Sequence, residues 1–200
     1  MTAGDELDLY ETAYLVAGPP RVALVALVAL CEERRVKVSA ARHRVDALVR
    51  EPADDMERAV LDAVPDAGKL LGKVLREVER SDAVADVREA LIERGLLSRL
   101  RWPGAPGRTG EGRRERDRLV ADAPAKGLRA VAAGGAEAIA DGRLRRVFTT
   151  PDPEPVKVRD KRRFGGLGGR DTPGLGRYTG DGHLGQSGDI GSDSGGSSGM

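Results

Sequence analysis

LYETAYLVAGPPRVALVALVALCEERRVKVSAARHRVDAL, residues 9–48, is the stretch whose reading decides the fold. At its centre Val22–Cys31 is a run of ten apolar residues without a break. A helix on a protein surface keeps a polar stripe for solvent. This run has none, so the helix is expected to be buried nearly all round, with the rest of the chain arranged around it. Ten residues are too few to cross a bilayer, which takes about 20. Gly18, Pro19, Pro20 and Arg21 block its extension backwards.

Outward from that run, Leu9–Val16 reads as a short amphipathic helix with Leu9, Ala13 and Val16 on one side and Asp8 as its N-cap. Gly18-Pro19-Pro20 stops it, and Pro20 suits the first turn of the next helix, where a missing N–H costs nothing. That helix is expected to end near Arg34. Val36–Val38 then reads as a strand, Ala40–Arg42 as a turn and Arg44–Val49 as the returning strand. Two helices followed by a hairpin form the latter half of a winged helix.

The pattern repeats downstream. Asp54 or Asp55 caps a helix over Met56–Val64, Pro65-Asp66 turns the chain, and Lys69–Arg80 forms a second helix with Leu70, Leu71, Val74 and Val78 on one stripe. Ser81 or Asp82 starts a third, closed by Gly95, and Leu96–Leu100 is expected to add a strand. The expected fold is mainly α with short β-hairpins: tandem winged-helix-like units over residues 7–100 sharing one core. Residues 101–125 read as a charged linker, in which Arg113–Ala121 has helical character. Residues 126–150 read as a C-terminal helical segment, weakened or kinked at Gly134-Gly135. Residues 151–200 read as a disordered Pro/Gly-rich tail: of 27 glycines, 14 lie between Gly165 and Gly199, too little apolar surface to offset the entropy of ordering.

Composition narrows the function classes. The formal net charge is +1, which selects no partner. Three Tyr, two Phe and one Trp are too few for stacking platforms on single-stranded nucleic acid. One cysteine, Cys31, excludes an internal disulfide and a multi-cysteine metal site, and its place in the apolar run suits a small buried hydrophobe. Asp5, Glu6 and Asp8 make the N-terminus acidic, unlike the basic start of a signal peptide. The chain is therefore expected to be cytoplasmic, at most peripheral to the membrane.

ETAYLVAGPPRVALVALVALCEERRVKV, followed by ERAVLDAV and VREALIERGLL, resembles blocks of an uncharacterised actinobacterial family. Its N-terminal domain carries a pattern like E-x-A-x-L-A-G-G-P-R-R-V-x-x-x-A-L-A-A-L. The similarity covers about Leu9–Phe148, and the glycine-rich tail matches in kind. The resemblance implies a fold and an organism type, and many longer members carry a membrane span after this domain. Here Pro19 stands for the second Gly of the pattern, Arg113–Arg146 holds no apolar span, and the tail has no Cys and one His. The family has no established activity, so the resemblance brings no catalytic residues.

Residues that bear chemistry are sparse. His43 lies in the expected hairpin turn between Arg42 and Arg44; a nucleic-acid contact there competes with the commoner role of a solvated turn residue. One His and one Cys in the foldable part give too few soft ligands for zinc. Ser39, Ser81 and Ser98 sit at element ends, where capping suffices, and Glu32/Glu33 and Asp54/Asp55 fall at helix ends. GGLGG and GLGRYTGDG do not open a helix after a strand, so neither is a phosphate-binding loop. No catalytic residue, cofactor site or metal site is expected.

Basic residues remain. Arg99, Arg101, Arg108, Arg113, Arg114, Arg116 and Arg118 set seven Arg against Glu111, Glu115 and Asp117. The set could meet phosphates of DNA or of anionic lipid, against the commoner reading of a salt-bridged solvated face. Two functions from different classes follow. One is a non-catalytic binding or scaffolding module whose partner is a protein or the inner membrane surface. The other is a winged-helix DNA-binding regulator, with Lys69, Lys73, Arg76 and Arg80 along the helix at the DNA and Arg42, His43 and Arg44 in the wing, against which Glu77 and Glu79 count.

Overall fold

The apolar run is the central helix of the molecule. In the computed structural model, which describes residues 6–99 and 107–153, α1 spans Leu9–Ala17 and α2 spans Pro19–Glu32. A hairpin follows, β1 Val36–Ser39 and β2 Arg44–Ala47, then α3 Asp55–Ala63, β3 Lys69–Leu70, α4 Leu71–Val78 and α5 Asp82–Glu93. The remainder is α6 Gly110–Ala121, α7 Leu128–Gly134, a 3-10 turn Gly135–Ala138 and α8 Gly142–Thr149. The protein is mainly helical with one small antiparallel sheet.

Local chemistry fixes the elements. Asp8 and Glu11 close α1 reciprocally: Glu11 N–H donates to Asp8 Oδ1 at 2.6 Å, and Asp8 N–H to Glu11 Oε2 at 2.9 Å. Gly18 (φ 80°, ψ −167°) then turns the chain through a conformation that other residues do not adopt, directly before the paired prolines that open α2. On α2, Val22, Val25, Leu27, Val28 and Leu30 are fully buried, and Ala23, Ala26 and Ala29 are buried beside them. It is packed by α1, α3, α4, α5, α7 and β1. Gly95 closes α5 with a Schellman pair, its N–H on Ile92 carbonyl (2.9 Å) and Leu96 N–H on Leu91 carbonyl (2.9 Å).

The hairpin is two-faced. Val36 pairs with Ala47 and Val38 with Val45, turning apolar side chains to the core, while the intervening Lys37–Asp46 and Ser39–Arg44 pairs face away. The third strand was not expected. Lys69–Leu70 pairs with β2 (Arg44 with Leu70, Val45 with Lys69), so the helix read over Lys69–Arg80 starts at Leu71. One sheet and one continuous core therefore run through both halves of residues 7–99. The strand expected over Leu96–Leu100 is reduced to a single bridge, Leu97 with Arg108; Leu100 lies outside the described residues. The helical segment over residues 126–150 is broken at Gly134-Gly135 into α7, the 3-10 turn and α8. The segment read as a disordered tail lies outside the described residues from residue 154 onward.

Two arginines tie the C-terminal elements to the N-terminal ones. Arg21 donates to the carbonyls of Val131, Ala132 and Ala133 at 2.9–3.2 Å, closing the end of α7. Arg108 donates to Leu15 (2.5 Å) and Val16 (2.7 Å), closing the end of α1. Each meets the negative end of a helix dipole. Burial lowers the pKa of both guanidinium groups from the ordinary arginine value.

Candidate anion-binding surface

The outward face of the hairpin is a shallow depression of about 270 Å³ lined by Lys37, Ser39, Arg42, Arg44, Asp46 and Ala67. Strand alternation sets four of these side chains on one face, and Arg42 comes from the turn. Arg44 Nη2 donates to the carbonyls of Ala67 (2.6 Å) and Gly68 (2.8 Å), which fixes its guanidinium beside the depression. Among the described residues no carboxylate lies within ion-pair distance of Lys37 or Arg42, and both are exposed. Three cations against one carboxylate, Asp46, make the depression electropositive.

The structure separates the basic residues that the sequence grouped. Lys73 and Arg76 are exposed on α4, where the neighbouring Lys69 is held by Glu77 at 2.5 Å. Arg113 and Arg114 are exposed on α6, and Arg116 is half-buried there, 3.0 Å from Asp117. Arg118 pairs with Glu115 at 3.4 Å. Arg108 is half-buried and caps α1. Arg101 lies outside the described residues.

His43 is the main correction. Expected as a solvated turn or wing residue, it is buried at 8 % exposure and has a positive φ of 46°. That left-handed conformation ends the hairpin loop and turns the ring inward, so His43 makes no wing contact while Arg42 beside it stays outside. Its Nδ1 is buried without a hydrogen bond, 3.7 Å from Asp152 Oδ1.

Other candidate chemistry is structural. Cys31 is half-buried, and burial with the nearby Glu32 charge pushes its thiol up to about 12. Burial and the Asp54, Glu57, Glu33 and Asp8 charges raise the Tyr10 phenol above its ordinary value. Among the described residues no group of three His, Cys, Asp or Glu is placed to hold a metal ion, and no helix is long and apolar enough to cross a membrane. Comparison with known protein families, with curated proteins and with solved structures finds no match to this chain.

Proposed function

We propose that this chain is a non-catalytic binding module that docks on an anionic surface, the inner face of a membrane, through the outward face of its hairpin. One observation carries the reading: Lys37 and Arg42 are exposed and unneutralised around a concave, polar site, with Arg44 locked beside them. A headgroup phosphate fits a shallow depression of this size and sign. Leu48 and Val49, which follow β2, are exposed at 58 % and 42 % and offer apolar contact next to the cations.

Each cation at an anionic leaflet contributes about 1 kcal/mol. Lys37→Ala with Arg42→Ala should therefore weaken binding to vesicles of phosphatidylcholine with phosphatidylglycerol by about 30-fold, and raised salt should do the same. Binding equal in the double variant and the parent, measured by co-sedimentation, would refute this surface.

The DNA-binding reading rests on Lys73 and Arg76, exposed on α4 without an ion partner among the described residues. It requires binding to duplex DNA that falls steeply with salt and weakens in Lys73→Ala with Arg76→Ala. Duplex binding that ignores both changes would leave only the sheet face. Capture of a protein partner unaffected by the Lys37 and Arg42 changes would mark a scaffolding role on another face.

A further inference from the structure

The first turn of α4 is capped from far away. Its N-cap is Leu70, which has no side-chain oxygen, so the leading N–H groups need outside acceptors. Leu71 N–H donates to the His43 carbonyl at 2.9 Å. Gly72 N–H donates to both carboxylate oxygens of Asp152, at 3.2 Å and 3.0 Å, across 80 residues of sequence. The contact is close: a Cβ on Gly72 would lie 2.5 Å from Asp152 Oδ2 and 3.5 Å from Arg76 Nη1.

The fit of the carboxylate is incomplete. His43 Nδ1, buried and aimed at it, stops 3.7 Å away and has no hydrogen-bond partner. The carboxylate is also lightly held. Pro151 and Pro153 are exposed on either side, and Asp152 alone of the three is half-buried. A positive helix end and a buried imidazole without a hydrogen-bond partner flank a negative group that satisfies only the first, and the Arg76 guanidinium lies on the same turn beyond ion-pair distance of it. A tetrahedral phosphate presents more oxygen acceptors than a carboxylate and can reach Gly72 N–H and His43 Nδ1–H together.

We infer that Gly72 N–H, His43 and Arg76 form a phosphate site that the chain fills with its own Asp152, and that a phosphate group displaces Asp152 and frees the Pro151–Pro153 segment. The site uses neither Lys37 nor Arg42, so it stands apart from the sheet-face reading. Occupation by Asp152 lowers the apparent affinity by the fraction of molecules in which the site is open.

The test is a titration of the full chain, ¹⁵N-labelled, with inorganic phosphate. In the parent, the Gly72 and Asp152 amide resonances should move together with one midpoint. Asp152→Asn should bind about tenfold tighter, because the competitor is gone. Asp152→Asn with His43→Gln should lose that gain, and Gly72→Ala, whose methyl group intrudes where either anion sits, should bind no phosphate. A cap with no ligand role predicts the reverse for Asp152→Asn: a lower melting temperature and no gain in affinity, which would overturn the inference. If Asp152→Asn does not fold, the parent decides, and an unmoved Gly72 resonance at tens of millimolar phosphate overturns it equally. Vesicles carrying a terminal-phosphate lipid assign the source: a gain with vesicles and inorganic phosphate alike indicates a headgroup, and a gain with inorganic phosphate alone indicates a free phosphate. Lys37→Ala with Arg42→Ala should leave the tenfold gain in place, so this site and the sheet face fail separately.

Discussion

Glu57 fastens the approach to α3. Its carboxylate accepts from Arg35 Nη1 at 2.6 Å and from Ala53 N–H at 2.6 Å. Burial alone would raise its pKa, but the Ala53 N–H, the Arg35 guanidinium and the Asp54 backbone outweigh it and hold the carboxyl below its ordinary value. A lowered folded pKa means stability that is present above the unfolded value, about 4.3, and is lost as pH falls through the folded one. Glu57→Gln should therefore destabilise the protein in urea at pH 7 and differ little from the parent near the acid end of the transition. An equal difference at both pH values would show that the charge is not what Glu57 contributes. Cys31 yields a second residue-level expectation. With its thiol near 12, alkylation at pH 8 should be slow in the folded protein and fast in urea. Rapid modification of the folded chain would mean that α2 opens readily.

At the level of the element, α2 contributes eight buried residues to the core. Leu27 is fully buried and Leu48 is 58 % exposed. Leu27→Ala should cost about 2–5 kcal/mol, the usual range for emptying a packed site. Leu48→Ala should cost within about 0.5 kcal/mol of nothing. Equal losses in chemical denaturation would contradict the packing. The elements legible in the sequence were those with local signals: α1 from Asp8 and the repeat of Leu9, Ala13 and Val16, α2 from its unbroken apolar run, α5 from Gly95. The strand β3 was not legible, because Leu70 and Leu71 fit the helical stripe of Val74 and Val78, and only pairing with Arg44 and Val45 makes Lys69–Leu70 extended. The hairpin face was half-legible. Arg42 and Arg44 stood out as a pair of cations, but Lys37 did not, since its part depends on strand register. Nothing local marks Asp152 as the cap of a helix 80 residues earlier.

Among the described residues, α7 packs back onto α1 and α2. The buried core among the described residues lies between Leu7 and Val147, and the sequence from Gly165 onward is glycine-rich with few large apolar residues. Deleting Gly165 onward should therefore shift the melting temperature by less than about 2 °C; a drop of many degrees would give that segment a place in the fold. The central helix has the opposite dependence. α1 and α2 are covered by α7, and Arg21 reaches Val131–Ala133 over more than a hundred positions.

That long-range cover has a consequence for the order in which the protein is made. The ribosome delivers Val22–Cys31, the most apolar stretch of the chain, about a hundred residues before α7, the last of the helices packed on it. At 5–20 residues per second the side of α2 that α7 covers stays open for roughly 5–20 s after the run is made. Nascent chains stalled before Leu128 should be held by chaperones or aggregate, while those stalled beyond Thr149 and clear of the exit tunnel should resist protease.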